Sequence, residues 1–247
     1  MSGRSPLESL VDKLSYRFPL EESDREALLA LPHRVKEVDP HHYIIRERER
    51  ATHCCLMVSG FSIRHKIVAN GARQIVAFQM RGDMVDLQNS VLGVADHSVQ
   101  MLTSGQVALI PREAIQQIAL DRPRIGMAMW KDTLVDGSVF REWVANVGRR
   151  DAATRMAHLL CEFALRLKLA GLGQQTDYQL PMTQEQLADA LGLTAVHVNR
   201  TLQVLEQQNL ITRRKRFVAI ADWDKLAAAG DFDATYLHLR ESEPTAA

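Results

Sequence analysis

The sequence lacks any long hydrophobic run, since apolar residues never follow one another for the ~18 positions that indicate a membrane-spanning helix. Its N-terminus also lacks the basic segment and apolar segment of a secretory signal peptide. We therefore expect a soluble, cytoplasmic protein with no membrane partner.

Cysteine is scarce, with only Cys54, Cys55 and Cys161 in 247 residues. An odd number, two of them adjacent, does not make the disulfide framework of a small secreted domain, so the pattern indicates a reducing compartment. His53 beside Cys54 and Cys55 leaves open a haem or redox sensor site on a strand. The alternative, which we favour, is thiols packed as small apolar side chains.

Net charge is absent, because Lys plus Arg and Asp plus Glu each number 30. The whole molecule therefore carries no field that would attract nucleic acid. Between Arg149 and Ile220, however, ten Lys or Arg residues stand against six Asp or Glu residues, an excess of four positive charges. A surface that binds a polyanion is expected in this C-terminal half.

The first half of the chain contains short apolar runs separated by turn residues. From about Ala27 to Pro111 these runs cover residues 54–58, 61–67, 75–80, 98–102 and 107–110. Strands of this length and spacing are typical of an antiparallel sandwich or barrel. We expect an α+β protein whose residues 1–122 form a β-rich domain with a short N-terminal helix.

A long helix is predicted from Arg124 to Val147, which we assign to a segment spanning residues 123–148. One apolar stripe contains Met127, Trp130, Leu134, Phe140, Val144 and Val147, and a second contains Val135, Val139 and Trp143. A helix that is apolar on two sides predicts a homodimer, with Met127, Trp130, Leu134 and Val144 at the interface. The alternative is a helix buried within a single core.

Residues 149–247 are predicted to form a DNA-binding domain, with a frayed tail after Glu241. Thr183 and Gln186 form a capping-box pattern at the start of one helix, which Gly192 ends. Thr194 is the N-cap of a second helix, from Ala195 to about Gln208. Two short helices joined through a glycine are typical of a helix-turn-helix.

The second helix has a polar face suited to the major groove of DNA. With Val198 facing inward, Val196, Arg200, Gln203 and Gln207 lie on the solvent side, flanked by His197 and Asn199. An arginine can bind O6 and N7 of guanine, and a valine can contact the methyl group of thymine.

A basic turn follows between two short β-prone runs. Its cluster comprises Arg213, Arg214, Lys215 and Arg216. As the tip of a hairpin beside the helix pair, the cluster is expected to contact DNA phosphates, although a charge run can also be only a solvated surface.

These residues resemble the Crp/Fnr superfamily of bacterial transcription regulators. The signature covers Met182-Thr183, Leu187-Ala188, Leu191 to Thr194, Val198, Arg200 to Leu202, Leu205 and Asn209 to Ile211. Met57 to Gly60 and Arg81 to Asp83 look like landmarks of the family's β-roll. The resemblance implies a cyclic-nucleotide-binding-like β-roll, a dimerisation helix, a C-terminal winged helix-turn-helix, and RNA polymerase as a partner. It also implies that an effector in the β-roll reorients the DNA-binding domains.

The resemblance also assigns DNA contacts residue by residue. Base-contacting positions fall on Ala195, Val196 and Arg200, and phosphate-contacting positions fall on Thr183, Glu185 and Thr194. Val196 departs from the glutamate that the family often has, so a different operator is implied.

The sensor domain departs from the members that bind cyclic nucleotides. Those members carry Gly-Glu and then Arg-Ser or Arg-Thr where this chain carries Asp86-Leu87 and His97-Ser98. Because a carboxylate and a permanent cation are lost, we expect no tight cyclic phosphate site, although these four positions remain the candidate effector pocket. No cofactor is implied, and the effector, a small molecule or a redox signal, is open.

An enzyme of the metal-dependent cupin type is the competing interpretation. It would use His41, His42, His53 or His65 as metal ligands. The cupin spacing of His-x-His with a downstream glutamate and histidine is absent, so we expect neither a metal site nor a catalytic residue.

Overall fold

The computed structural model describes residues 5–239, so the expected frayed tail after Glu241 lies outside the described residues. Its N-terminal part is a β-roll preceded by two helices, α1 (Glu8–Arg17) and α2 (Glu22–Leu29). The strands are β1 (Arg34–Val38), β2 (Tyr43–Ile45), β3 (His53–Met57), β4 (Ser62–Ile67), β5 (Arg73–Gln79), β6 (Ser98–Met101) and β7 (Gly105–Pro111), with a short helix α3 (Asn89–Leu92) between β5 and β6.

Two antiparallel sheets form the roll, one in the order β1-β7-β3 and the other in the order β2-β6-β4-β5. Between them lies a core that includes Cys55, Met57, Val99 and Val107. The predicted antiparallel α+β architecture is thus confirmed. Strand β1 was not among the predicted runs, because four of its five residues are exposed and it has no apolar pattern.

Helix α4 (Arg112–Asp121) leads into the long helix α5 (Pro123–Arg149). Pro123 occupies the first turn, where a missing N–H costs nothing. One side of α5 packs on the protomer's own core through Val135, Val139 and Trp143.

The predicted first stripe of α5 needs a correction, because Phe140 and Val147 do not lie on it. Phe140 is half-buried beneath the guanidinium of Arg64, at 5.2 Å from ring centre to charge centre. Val147 faces the turn at Gly192. Both are rotated by more than 100° from Leu134 about the helix axis, so they cannot share its exposed face.

The C-terminal part combines helices with a small three-stranded sheet. Its elements are α6 (Ala152–Leu169), β8 (Asp177–Gln179), α7 (Gln184–Leu191), α8 (Ala195–Gln207), β9 (Ile211–Arg214), β10 (Phe217–Ile220), α9 (Trp223–Ala229) and a 3-10 helix (Ala234–Leu237). The predicted hairpin is β9-β10, and β8 pairs with β10. None of the helices within residues 5–239 has the length and apolar character needed to cross a membrane.

The two parts share packing and polar contacts. Arg73 of β5 forms an ion pair with Asp189 of α7 at 2.7 Å, and the amide of Gln74 donates to the carbonyl oxygen of Ala190 at 3.2 Å. Ile75 and Phe78 belong to the same buried cluster as the core of the C-terminal helices. The helix pair is therefore docked on the edge of the β-roll.

Candidate nucleic-acid interface and sensor cavity

Local hydrogen bonds define the start of each helix in the α7-α8 pair. The Thr183 hydroxyl accepts from the Gln186 N–H, and the Gln186 side chain accepts in return from the Thr183 N–H. The Thr194 hydroxyl accepts from the His197 N–H. Gly192 ends α7 with a φ of 64°, a backbone conformation that favours glycine, and a Cβ there would lie 3.2 Å from a methyl group of Val147, which would have to shift slightly.

Helix α8 buries one side and presents the other to solvent. Val198, Leu202 and Leu205 are buried, whereas Val196 is 64% exposed and Arg200 is exposed. The remaining candidate DNA contacts lie around them: Thr183, Glu185, Thr194 and His197 are exposed, and Ala195 and Asn199 are half-buried. All of these candidate residues are therefore at least partly accessible to solvent.

A shallow cleft runs between α8 and the start of α6. It is lined by Thr194, Val196, His197 and Arg200 on one side and by Asp151 on the other. Asn199 accepts a hydrogen bond from the amide of Gln184 at 3.2 Å, which ties α8 to α7. Because Asn199 is already paired, it is less available to a base than Arg200.

The basic turn of the β9-β10 hairpin is not uniform. Arg214, Lys215 and Arg216 are exposed, and Lys215 adopts a φ of 58° at the tip. Arg213 instead forms an ion pair with Glu206 of α8 at 2.7 Å. Its side chain is directed back onto α8, which places only three of the four cations at the turn. The seven-residue separation of this pair across a helix and a strand gave no sequence signal.

The four candidate effector residues do not converge on one space. The Asp86 carboxylate accepts from the Cys55 N–H at 2.7 Å, and burial raises the pKa of Asp86 to about 7. The Ser98 hydroxyl accepts from the Glu47 N–H at 3.0 Å. His97 contacts Asp96 at 2.6 Å, and burial together with Arg64 lowers the pKa of its imidazole. Only Leu87 lines the cavity between the β-roll and α5.

Arg64, which the sequence analysis did not single out, fills the space beside that cavity. Its guanidinium donates to the Asp136 carboxylate of α5 at 2.6 Å and to the Val85 carbonyl oxygen at 2.9 Å, and the side chain is 4% exposed. The free interior of the cavity is about 90 Å³. Such a space holds a few waters, far less than a nucleotide needs. In the sequence, Arg64 lies between Ile63 and His65 inside the predicted run 61–67, and no pattern there singles it out.

The cysteines and histidines are dispersed. Cys54 and Cys55 lie in different buried clusters, and burial raises the pKa of both thiols, whereas His53 is exposed at the strand end. His41 and His42 are exposed in the turn after β1, while His65 is buried. Among residues 5–239, no group of three or more His, Cys, Asp or Glu side chains is arranged to hold a metal ion.

A β-roll, a long helix and a winged helix-turn-helix in one chain define a two-domain, DNA-binding transcription regulator. Residues 35–122 match the family of the cyclic nucleotide-binding domain, and residues 154–229 match that of the Crp-like helix-turn-helix domain. The chain belongs to the Crp/Fnr superfamily and is a transcriptional regulator of Crp/Fnr type. The competing cupin interpretation receives no support from these matches.

Relatives and solved structures agree with this assignment. The transcriptional activator protein FnrL of Cereibacter sphaeroides is 29% identical over 180 residues, 71% of this chain and 72% of the relative. The nitrogen fixation regulation protein FixK of Azorhizobium caulinodans is 27% identical over 169 residues, 68% of this chain and 67% of the relative. In fold, the chain is similar to FixK2 from Bradyrhizobium japonicum, with a TM-score of 0.73 and 23% identity over 81% of this chain and 98% of that one.

Proposed function

We propose that this regulator acts as a homodimer on a two-fold symmetric DNA site, where Arg200 of each protomer binds a guanine in the major groove. The observation that carries the proposal is the pair Val196 and Arg200, both exposed at the start of a helix whose other side is buried. A guanidinium there is free to bind O6 and N7 of guanine, and the neighbouring valine suits a thymine methyl group.

The exposed face of α5 supports the dimer. Met127, Trp130, Leu134 and Val144 are 41%, 60%, 56% and 73% exposed. Positions 127, 130, 134, 137, 141 and 144 follow alternating steps of three and four residues, which is the spacing of a coiled-coil seam. Gly137 and Arg141 at two of these positions allow close approach of the helices and a polar contact, respectively. A second copy of α5 is the partner that matches this seam.

Around Arg200, the other candidates divide by chemistry. Ala195 and His197 flank the base-contacting face, while Thr183, Thr194 and the backbone N–H of Glu185 lie where phosphates pass the helix pair. Arg214, Lys215 and Arg216 supply contacts to phosphates that do not depend on sequence, and Arg213 acts through its pair with Glu206. We propose that residues 1–122 sense the effector, residues 123–148 form the dimer interface and residues 149–247 bind DNA.

We further propose that the β-roll does not respond to cyclic AMP. Arg64 and its partner Asp136 occupy the space beside Leu87, and the remaining cavity is too small for a nucleotide. RNA polymerase is the proposed partner at promoters, with the protein located in the cytoplasm beside the DNA it regulates.

Selection of bound duplexes from a random DNA library tests the proposal. We expect an inverted repeat whose half-sites are centred about 34 Å apart, one turn of the double helix, each containing a guanine that Arg200→Ala no longer selects. Recovery of a site without two-fold symmetry, or a guanine preference that survives the substitution, would refute it.

A further inference from the structure

Glu162, in the middle of α6, is a buried carboxylate that joins three parts of the molecule. Its side chain is 1% exposed. One oxygen accepts from the indole N–H of Trp143 at 2.9 Å and from the hydroxyl of Tyr236 at 2.8 Å, and the other accepts from the guanidinium of Arg166 at 3.3 Å. A buried carboxylate is costly unless its oxygens are paired, and here both are.

The three donors belong to different elements. Trp143 lies on the dimerisation helix α5, Tyr236 on the 3-10 helix after α9, and Arg166 one turn further along α6. Arg166 also donates to the carbonyl oxygen of Phe78 at 2.8 Å and approaches the carboxylate of Asp83 at 3.3 Å, both in the β-roll. Burial raises the pKa of Tyr236, which keeps its hydroxyl protonated as a donor.

The covalent link between α5 and α6 is short, and the guanidinium of its first residue, Arg150, donates to Glu142 of α5 and to Asp231. Only Arg150 and Asp151 separate the two helices, and Arg150 is extended, with a ψ of 151°. The apolar contacts of α5 near this junction, such as the edge-to-face contact of Trp143 with Phe78 of β5, tolerate sliding and rotation more readily than a directed hydrogen bond.

Close to the junction, the amide of Asn146 on α5 donates to the carbonyl oxygen of Arg155 on α6 at 3.4 Å. The bond from Trp143 to Glu162 is shorter, at 2.9 Å, and lies further along both helices, so it restrains their angle more strongly. Together with the contacts between α7 and β5, it holds one angle between α5 and α6.

We propose that Glu162 is a positioning residue that sets the spacing of the two half-sites the dimer accepts. The inference rests on the proposed function, a dimer on a two-fold symmetric site. Helix α8, the proposed recognition helix, packs against α6, while the dimer seam lies on α5. A change in the α5-α6 angle therefore displaces α8 in both protomers. Because the protomers are related by a two-fold axis, both displacements change the distance between the two α8 helices in the same sense.

The test measures affinity for the selected operator and for versions with one or two base pairs inserted or removed between the half-sites. Glu162→Gln keeps the size of the side chain but removes its charge and one of its two acceptor oxygens. We expect the wild-type protein to lose at least roughly tenfold in affinity per changed base pair, the scale of a mismatch in a specific site. The spacing ratio is the affinity for the selected operator divided by the affinity for a version with altered spacing. In Glu162→Gln the spacing ratio should fall at least about threefold, while the base preference inside each half-site stays unchanged.

Two further variants keep the test decisive if Glu162→Gln folds poorly. Trp143→Phe and Tyr236→Phe each remove one donor while keeping an aromatic ring. Each should lower the spacing ratio, as Glu162→Gln does. Because both donors act on one oxygen, the double variant should show less than the product of the two single effects. Arg200→Ala is the contrasting variant, since it should change base preference without changing spacing.

The outcomes distinguish a failure of the role of Glu162 from a failure of the proposed function. If the wild-type protein discriminates between spacings and Glu162→Gln, Trp143→Phe and Tyr236→Phe discriminate equally well, the role of Glu162 is refuted and the proposed function stands. If the wild-type protein shows no dependence on spacing, the proposed function fails, and the inference fails with it.

Discussion

The guanidinium of Arg64 in the β-roll donates to the carboxylate of Asp136 on the long helix across 2.6 Å. The pair is asymmetric, because the Arg64 side chain is 4% exposed and the Asp136 side chain is 42% exposed. Water can therefore solvate the carboxylate of Asp136 when it is unpaired, but it cannot solvate an unpaired guanidinium of Arg64. In the space beside the sensor cavity, the chain supplies its own charged group and its own counter-ion.

This asymmetry predicts unequal effects on stability. Asp136→Asn leaves a buried guanidinium without its counter-ion and should cost about 3 kcal/mol of unfolding free energy, whereas Arg64→Met leaves a hydrated carboxylate and should cost about 1 kcal/mol. Urea unfolding of both variants measures the difference. A larger cost for Arg64→Met would mean that the pair is not the main interaction of this arginine.

Cyclic AMP should not bind with useful affinity. The space beside Leu87 holds Arg64, and His97 contacts Asp96 rather than an open cavity. Isothermal calorimetry with cyclic AMP should give no heat of binding up to millimolar ligand. Micromolar binding that disappears in His97→Ala would show that the imidazole replaces the cation found in cyclic-nucleotide-binding relatives.

Leu134→Asp should weaken the dimer, because it places a carboxylate in the apolar seam of α5. Leu120→Asp is the matched control, since Leu120 is also an exposed leucine, at 78%, but lies on α4. Sedimentation velocity at micromolar concentration should show a dimer for the wild type and the control and a shift to monomer for Leu134→Asp. A monomeric wild-type protein would contradict the assignment of the seam.

Substitutions in α8 and in the basic turn should change DNA binding in different ways. Arg200→Ala should cost on the order of 1–3 kcal/mol per half-site and relax the preference at one base pair. Replacing Arg214, Lys215 and Arg216 by Gln should weaken binding to all sequences and flatten the dependence of affinity on salt. Titrations of operator and base-substituted duplexes at several salt concentrations separate the two effects. An unchanged salt slope in the triple variant would mean that the turn does not contact phosphates.

Asp86 makes stability depend on pH with a defined sign. Burial raises its pKa from 3.8 to about 7, so the folded state binds a proton that the unfolded state has released between these values. The free energy of unfolding contributed by Asp86 should therefore fall as the pH rises from about 4 to about 7. His65, whose pKa burial lowers to about 4, has the opposite sign in the same window.

Because these contributions oppose each other, the measurement compares two proteins. Asp86→Asn keeps an acceptor for the Cys55 N–H and removes the buried charge. It should gain stability relative to the wild type as the pH rises from 4 to 8, by about 1 kcal/mol or more at the upper end. An equal pH profile for both proteins would show that Asp86 does not titrate in this range.

Local sequence signals predicted the elements that local forces determine. The caps at Thr183 and Thr194, the break at Gly192 and the short apolar runs of the β-roll with their turn residues each act within a few residues, so the sequence revealed them. Contacts between distant segments were not predictable in this way. The Arg64–Asp136 pair, the bond from Arg213 to Glu206 and the three donors to Glu162 depend on how elements pack, and no spacing in the sequence encodes them.

The docking of α7 on the β-roll edge has a thermodynamic consequence. Ile75 and Phe78 from one functional region share a buried cluster with Leu187 and Leu191 from the other. Neither region can lose its structure without exposing apolar surface of its neighbour, so melting of one removes support from the other. Heat should therefore unfold each protomer in a single cooperative transition, although two functions divide the chain.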